Sequence, residues 1–317
     1  MRILCTGSAG FIGTELCRKL EERGFEVWRS DRFVHSRYSP HKERFVYGDV
    51  ANLDSCKRII REAQPEIVIH LAAIATTDSF MYNHPEQMID VTFKGTVNMG
   101  NAFGEWLKND PEEHRLPHPK AQFIYASSSE IYGAATNPPF NEETEPHPCN
   151  VYAVSKYAGE MYLRDFFSKA YGIPYTIMRN FNTFGNTHYF RTLIDRCVKE
   201  MREGVNPIQL GNPDAVRDWE FVDDHVNSYL TVINNPKAFG ETLNFCRGET
   251  YTIYKTVEAI AKATNYDGGV EYDTGHPRPN DAPVLHGNPR KAKHILGWEA
   301  KYSLADGLRE YVKRLGG

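Results

Sequence analysis

Tyr152 and Lys156 are the residues whose types and spacing most directly suggest chemistry in this chain. Positions i and i+4 lie on one face of a helix, so a helix here would point the phenol and the ammonium the same way. An ammonium beside a phenol lowers the pKa of the phenol, and a phenol that titrates near neutrality can act as a general base. This spacing is also common on surface helices. The sequence upstream is therefore needed to judge whether the pair is catalytic.

The beginning of the chain predicts the strand, turn and helix that a dinucleotide site needs. Arg2 to Thr6 is a short apolar run, typical of a buried parallel strand, and a helical pattern follows a few residues later. Between them, Gly7 allows a tight turn, Gly10 lets backbone approach a pyrophosphate, and Gly13 lets the helix lie close to the strand. The residues of this turn predicted to lie against the cofactor are Gly7, Gly10, Phe11, Ile12 and Gly13.

A carboxylate stands where a dinucleotide site requires one. A second predicted strand, Glu26 to Ser30, ends at Asp31, about twenty residues beyond the turn. A carboxylate at this point can bind both ribose hydroxyls of NAD and would repel the 2′-phosphate of NADP. The sequence therefore predicts NAD as the cofactor, and it disfavours NADP without excluding it because Arg32 is the next residue.

These motifs resemble the extended short-chain dehydrogenase/reductases that act on nucleotide sugars, and the resemblance covers nearly all of the chain. A fifth predicted strand, Gln122 to Ala126, leads into Ser127-Ser128-Ser129-Glu130. The resemblance implies that Ser128, Tyr152 and Lys156 are catalytic. Tyr152 would take the proton of the C4 hydroxyl, Ser128 would hydrogen-bond that oxygen, and Lys156 would also bind the nicotinamide ribose.

Within this group the chain is most similar to the nucleotide-sugar 4,6-dehydratases of the GDP-mannose or dTDP-glucose type. These enzymes have a glutamate at the position of Glu130, as the base for C5, where 4-epimerases usually have a small neutral residue. One branch has Asp at the position of Ser129 as the acid for the departing water, and the GDP-mannose branch has Ser, so the acid stays open. The segment Arg217-Asp218-Trp219 is also frequent in dehydratases.

Three alternatives to a dehydratase remain. A 4-epimerase would share the chemistry up to Ser128, and UDP-glucuronate decarboxylases also carry a Ser-Glu pair at this point. A protein of another class, an NAD-binding sensor or scaffold without catalysis, could keep the same fold. Such a pseudoenzyme would have no need of the intact set of Ser128, Glu130, Tyr152 and Lys156.

The resemblance also implies contacts outside the catalytic set. Asp49 and Val50, after a third predicted strand, would lie against the adenine, and Ala75 to Ser79 would form part of the sugar pocket. The segment after the fourth predicted strand would let backbone lie beside the cofactor through Leu71, Ala72 and Ala73. Thr92 stands where the family usually has Asn. The residues predicted to bind the sugar or its diphosphate are Asn182, Arg191, Arg217 and Arg278.

Composition excludes several other classes of protein. The formal net charge of −4 and the absence of a basic run argue against a nucleic-acid partner. No apolar run approaches membrane-spanning length, and the chain leaves no room for a signal peptide. The six cysteines form no C-x-x-C pair, which predicts reduced thiols in a cytoplasmic protein. His114 and His118 lie in a polar loop, so we expect no metal site.

The alternation of strands and helices predicts an α/β fold with a doubly wound parallel (Rossmann) sheet. We expect residues 1–180 to form the NAD-binding domain, with 215–247 returning to it. Residues 181–214 and 248–317 would form a smaller, sequence-interleaved α/β domain for the nucleotide sugar. The helices predicted over Glu86 to Trp106 and Val151 to Tyr171 carry apolar residues on more than one face. In the family such helices form a four-helix interface, so we expect a homodimer.

Overall fold

A computed structural model describes residues 1–33, 42–75, 83–109, 120–186, 192–273 and 281–316 of the 317-residue chain. Two predicted substrate contacts, Arg191 and Arg278, lie outside these residues. So do the histidines His114 and His118 and all of the predicted sugar-pocket segment except Ala75.

The strands of the described chain are β1 (Arg2–Thr6), β2 (Glu26–Asp31), β3 (Phe45–Tyr47), β4 (Ile67–His70), β5 (Gln122–Ala126), β6 (Tyr175–Asn180), β7 (Asn182–Phe184), β8 (Ile208–Leu210), β9 (Val216–Phe221), β10 (Glu241–Phe245), β11 (Thr250–Thr252), β12 (Val270–Tyr272) and β13 (Val284–Leu285). Seven of them form a parallel sheet in the order β10-β6-β5-β4-β1-β2-β3. The chain runs outward from β1 in both directions, so the order reverses there. Ligands of doubly wound sheets bind beyond the carboxyl ends of the strands at this point.

Helices cover both faces of this sheet, which confirms the predicted fold class. They are α1 (Phe11–Glu22), α2 (Leu53–Ala63), α3 (Pro85–Ile89), α4 (Gly95–Asn109), α5 (Val151–Tyr162), α6 (Ser168–Tyr171), α7 (Leu193–Arg202), α8 (Val222–Val232), α9 (Ile253–Thr264), α10 (Arg290–Leu296) and α11 (Leu304–Gly316). Side chains alternate along β1: Ile3 and Cys5 pack into one apolar core and Leu4 into the other. Helices α1 and α8 lie together over one face, and α2 and α4 over the other.

The two long helices of the prediction are interrupted by π turns. The first consists of α3, the turn Asp90–Lys94 and α4, and the second of α5, the turn Leu163–Phe167 and α6. A π turn adds one residue to a helical turn and arises from tertiary contacts, so apolar periodicity does not reveal it. No helix in the described part of the chain combines the length and apolarity needed to cross a bilayer.

A smaller sheet contains β9, which pairs with β7, β11 and β13. Residues 215–247 are the segment expected to return to the first domain. Within it, α8 packs on α1, and β10 pairs with β6 in the large sheet. Strand β9 belongs instead to the smaller sheet. We propose the same division into domains, except that β9 belongs with the smaller sheet.

Glu220 on β9 is a carboxyl group enclosed in this second sheet. It is 1% exposed, and neither of its oxygens has a hydrogen-bond partner among the described residues. His225 Nδ1 lies 3.3 Å from Glu220 Oε2 but contacts Thr183 Oγ1 at 2.6 Å, and His225 Nε2 is 3.1 Å from the Asn180 amide nitrogen. Burial lowers the pKa of His225 to about 3 and raises the pKa of Glu220 well above its ordinary value. Burial therefore favours the neutral form of both groups.

Replacing Glu220 with Gln is expected to stabilise the fold increasingly as pH rises. The unfolded carboxyl loses its proton above its ordinary pKa while the folded one keeps it, so the wild type loses about 1.4 kcal/mol per pH unit. Thermal unfolding should show similar Tm values at pH 5 and a higher Tm for the variant at pH 7. The matched control Glu145→Gln, whose side chain is 86% exposed, should change neither value. A lower Tm for Glu220→Gln at both pH values would mean that Glu220 and His225 form an ion pair.

Candidate active site

The glycine-rich turn at the carboxyl end of β1 brings backbone segments into close contact. Gly7 has φ +70°, and a Cβ there would lie 2.8 Å from the Ala72 backbone nitrogen. A Cβ on Gly13 would collide with the Gly7 carbonyl oxygen. Helix α1 begins at Phe11, and its cap, Gly10, offers no side chain to the N–H groups of the first turn. Uncapped N–H groups at a helix N-terminus attract phosphate, so the turn fits a pyrophosphate.

Two carboxylates lie at neighbouring strand ends, as predicted. Asp31 closes β2, and its oxygens accept from the backbone N–H groups of Ala9 (3.0 Å) and Phe33 (3.1 Å). These bonds fix the carboxylate beside the glycine-rich turn, where the ribose of a dinucleotide is expected. Asp49 follows β3 and accepts from the Ala51 N–H at 2.9 Å, while Val50 beside it is buried.

The segment after β4 runs beside the glycine-rich turn. Leu71 N–H donates to the Thr6 carbonyl at 3.2 Å, and Ala72 N–H lies 3.4 Å from the Thr6 hydroxyl. Ala73 follows, and Thr92 accepts from the Ile74 N–H at 3.3 Å. Thr92, where the family usually has Asn, therefore keeps a hydrogen bond to this segment.

Tyr152 and Lys156 lie on α5, one turn apart, and the Lys156 ammonium is 5.8 Å from the centre of the Tyr152 ring. The ammonium donates to the Ala126 carbonyl at the end of β5. Burial raises the pKa of Tyr152 to about 12, the Glu130 carboxylate adds to this, and a hydrogen bond with Ser128 opposes it. The predicted lowering of the Tyr152 pKa is therefore wrong for this structure, because burial outweighs any effect of an ammonium bonded elsewhere.

Lys156 is the member of the pair that titrates near neutrality. Burial lowers the pKa of its ammonium to about 7, and the Glu160 carboxylate opposes this. The Lys156 amine can therefore take up a proton near neutral pH, whereas the Tyr152 phenol titrates far higher.

A short turn brings Ser128 and Glu130 together. Strand β5 ends at Ala126, so strand alternation does not continue to Glu130, and a 3₁₀ turn spans Ser129–Ile131 instead. Ser128 Oγ caps this turn by accepting from the Glu130 N–H at 3.2 Å. Ser129 is 2% exposed, whereas the Glu130 side chain is partly exposed. The turn thus presents Glu130 beside Ser128 and turns Ser129 inward.

Glu130 is held in a buried, charged setting. The Asn150 amide nitrogen donates to Glu130 Oε2 at 3.3 Å. Burial raises the pKa of Glu130, Arg217 and the Asn150 hydrogen bond lower it, and Asp281 raises it. The raised pKa makes the Glu130 carboxylate a stronger base than an ordinary glutamate.

The three residues of the Arg217-Asp218-Trp219 segment have separate contacts. Arg217 is 7% exposed and donates to Asp281 at 2.8 Å, so its guanidinium already has a carboxylate partner. Asp218 accepts from the backbone N–H groups of two loops, at Arg247, Gly248 and Gly287. Trp219 donates to Thr256 on α9 at 2.9 Å. The segment therefore fixes the loops of the second sheet around Arg217.

Asn182 stands at the start of β7, two residues beyond β6. Its side-chain oxygen is buried and has no hydrogen-bond partner in the described part of the chain. A buried acceptor without a donor fits a position that a ligand completes. Arg191 and Arg278 stay predictions, since they lie outside the described residues.

Sequence reasoning missed a buried ion pair beneath the catalytic helix. Glu160, one turn beyond Lys156, is 0% exposed and binds Arg179 of β6 through two contacts, at 3.1 and 2.8 Å. Ser127, next to Ser128, donates to the same carboxylate, and Arg179 also donates to the Tyr132 hydroxyl at 3.1 Å. The one available signal was a charged residue four positions beyond Lys156, on the same helix face.

The described residues fit NAD better than a metal. A Cβ at Gly7 or Gly13 would collide with neighbouring backbone, so only glycine allows this tight turn, and the uncapped helix and Asp31 match a pyrophosphate and a ribose. Within the described ranges, no three His, Cys, Asp or Glu side chains are placed to hold a metal ion.

A serine, a tyrosine and a lysine gathered at the strand ends of a dinucleotide-binding sheet define the extended short-chain dehydrogenase/reductase class of enzymes. More narrowly, the chain belongs to the GDP-mannose 4,6 dehydratase family, whose sequence profile matches residues 4–311.

Relatives of this chain include dehydratases and epimerases. A dTDP-glucose 4,6-dehydratase of Salmonella typhimurium is 27% identical over 342 residues, covering 99% of this chain and 92% of that protein. A UDP-glucose 4-epimerase of Thermotoga maritima, solved with UDP-glucose, has a TM-score of 0.88 at 28% identity and covers 100% of both chains. A dTDP-glucose 4,6-dehydratase of Bacillus anthracis, solved with NAD, has a TM-score of 0.81 at 25% identity, covering 99% of this chain and 96% of the other. The fold alone therefore does not separate the two reactions.

Proposed function

We propose that this chain is an NAD-dependent nucleotide-sugar 4,6-dehydratase, which converts a nucleotide-diphosphate hexose into its 4-keto-6-deoxy product and water. The observation that carries the proposal is the partly exposed Glu130 carboxyl beside Ser128 and the Tyr152 helix. Oxidation at C4 needs only Ser128, Tyr152 and Lys156. A second base beside them supports a reaction that also removes the C5 proton.

In the first step the Tyr152–Lys156 pair takes the proton of the C4 hydroxyl, while Ser128 Oγ hydrogen-bonds that oxygen. Ser128 can hold this position because its hydroxyl is fixed by the Glu130 N–H. NAD, when bound, accepts a hydride from C4 and gives it back at C6 later in the cycle. Lys156 would also hold the nicotinamide ribose, as the resemblance implies.

In the second step Glu130 takes the proton at C5, which the C4 ketone has made acidic. The C6–oxygen bond breaks, and the oxygen leaves as water once it receives a proton. Ser129 is buried in the 3₁₀ turn, so Glu130, protonated by its work at C5, is the better candidate for this acid. Elimination leaves a C5=C6 double bond; the hydride returned at C6 and a proton delivered to C5 by Glu130, once it is reprotonated from solvent, then complete the 4-keto-6-deoxy sugar.

We assign substrate binding to Asn182 and Arg217, with Arg191 and Arg278 as further candidates. Guanidinium groups match phosphate oxygens, and the unpartnered Asn182 oxygen can accept from a sugar hydroxyl. Arg217 is already paired with Asp281, so a diphosphate must share or displace that carboxylate.

A 4-epimerase is the second candidate, favoured by the higher TM-score to the Thermotoga maritima epimerase. Epimerisation needs no base at C5, and it would leave Glu130 without a chemical role. A UDP-glucuronate decarboxylase and an NAD-binding scaffold remain as further alternatives, and neither has an observation of its own in its favour.

Replacing Glu130 with Gln tests the proposed function. The variant keeps the size and hydrogen bonding of the side chain but removes the base, so it should still oxidise C4 and then stall. We expect the absorbance of reduced cofactor to rise, with no water released and no deuterium entering C5 from heavy water. Conversion at close to the normal rate would place the C5 chemistry elsewhere and favour the epimerase.

We also propose a homodimer formed by the two long helices, in a four-helix interface. Their exposed apolar side chains support it: Ile89 (44% exposed), Val154 (50%), Met161 (46%) and Phe166 (55%). Light scattering should report twice the 36.2 kDa chain mass. Met161→Lys should dissociate the dimer. Val205 is exposed on another surface, so the matched control Val205→Lys should leave the dimer intact. A wild-type mass of one chain at working concentration would contradict the proposal.

We propose a cytoplasmic location for the enzyme. The six cysteines are all free thiols, five of them buried, which suits a reducing compartment.

A further inference from the structure

Asn150 caps the helix that carries Tyr152. Its side-chain oxygen accepts from the Ala153 N–H at 2.9 Å, and its backbone has extended angles, φ −140° and ψ 164°. The residue is 8% exposed. Ser, Thr and Asp side chains can satisfy a helix N-terminus in the same way, so capping alone does not require Asn here.

The other end of the same amide binds Glu130. Asn150 Nδ2 donates to Glu130 Oε2 at 3.3 Å, across a sequence separation of 20 residues. A capping Ser accepts in the same way but is too short to reach the carboxylate, and a capping Asp has no N–H to donate. Only a side chain with both an acceptor and a donor can join the helix to Glu130.

Several charged or titratable groups face Glu130 from the elements around it. Arg217 of β9 lies on one side and is paired with Asp281, while Tyr152 of α5 and the Ser128 hydroxyl lie on the other. Burial raises the pKa of Glu130, and Arg217 and the Asn150 hydrogen bond lower it. Asn150, which hydrogen-bonds Glu130, is also the residue that caps α5.

We propose that Asn150 is a positioning residue that ties the Glu130 carboxylate to the helix carrying Tyr152, so that the C4 and C5 bases keep one fixed arrangement. The proposal rests on the proposed function, in which Glu130 is the base for C5. Asn150 itself touches no reacting atom in this scheme. Its effect on catalysis runs through the direction and the ionisation of Glu130.

Two capping variants, Asn150→Ser and Asn150→Asp, separate this role from helix capping. Both keep an acceptor for the Ala153 N–H, so thermal stability should stay close to that of wild type. Both lose the donor to Glu130, and Asn150→Asp adds a like charge beside it. The pKa of Glu130 should therefore rise in Asn150→Ser and rise further in Asn150→Asp.

The first readout needs no substrate. In protein labelled at its Glu carboxyl carbons, the NMR signal that is missing in Glu130→Gln identifies Glu130, and a pH titration of that signal gives its pKa. The second readout is deuterium exchange at C5 with GDP-mannose, dTDP-glucose or UDP-glucose, whichever the wild type converts. We expect the rate of C5 exchange at pH 7 to fall roughly tenfold in Asn150→Ser. The acidic limb of the pH profile of this rate should move to higher pH. KM and the rate of C4 oxidation should hardly change.

An unshifted Glu130 titration in Asn150→Ser would overturn the proposal, as would loss of thermal stability in both variants, which would show a role in folding alone. Failure of the proposed function looks different. In that case Glu130→Gln would exchange the C5 proton normally, while the Asn150 variants could still shift the Glu130 titration.

Discussion

Replacing Tyr152 with Phe is expected to lower turnover by about 10³-fold while the protein folds and binds nucleotide sugar as before. The change removes the hydroxyl that accepts the C4 proton and leaves the ring, which lies 5.8 Å from the Lys156 ammonium. Steady-state rates and equilibrium binding of the nucleotide sugar, measured on the same preparations, check this result.

Tyr157→Phe is the matched control for this change. Tyr157 lies on the same helix and packs on the apolar cluster around Ile131, Tyr132 and Phe140. Its variant should keep most of the activity. Turnover of Tyr152→Phe within a few-fold of wild type would remove Tyr152 from the mechanism.

The second large effect concerns stability and lies beneath the site. Glu160→Gln should destabilise the protein by about 3–5 kcal/mol, because it leaves the Arg179 guanidinium buried without its carboxylate. The two side chains are 0% and 4% exposed, so water cannot replace the lost contact. Urea unfolding followed by circular dichroism gives the free energy.

Asp223 and Arg314 provide the control for this change. They form a pair with the same two-point geometry, at 2.9 and 2.7 Å, but their side chains are 36% and 29% exposed. Asp223→Asn should cost no more than about 1 kcal/mol. If Glu160→Gln and Asp223→Asn lost equal free energies of unfolding, burial would not be the reason for the large effect at Glu160. A double variant, Glu160→Gln with Arg179→Met, should recover part of the loss because it also removes the unpaired charge.

Local geometry explains which features could be predicted from sequence. The glycine-rich turn and the Tyr152–Lys156 spacing depend on φ angles and helical periodicity over a few residues, and both stand where they were expected. The parallel sheet follows from buried apolar runs separated by helices. Features of this kind depend on residues that are close together in the sequence.

Contacts between distant elements could not be predicted in the same way. Glu160 and Arg179 meet only because α5 packs on β6, and Arg217 meets Asp281 across a separation of 64 residues. The raised pKa of Tyr152 depends on burial and on Glu130, neither of which has a local signal. The 3₁₀ turn at Ser129, which brings Glu130 to the site, likewise has no local signal in the sequence.

The central claim is that the chain removes water from a nucleotide sugar, and mass spectrometry of the product tests it most directly. Purified protein is incubated with GDP-mannose, dTDP-glucose, UDP-glucose and UDP-glucuronate in turn, with NAD equal in amount to the protein and far below the sugar. The account predicts that one sugar loses the mass of one water over many turnovers, without net consumption of NAD. Unchanged mass with a new isomer, or loss of carbon dioxide, would contradict it and identify an epimerase or a decarboxylase instead.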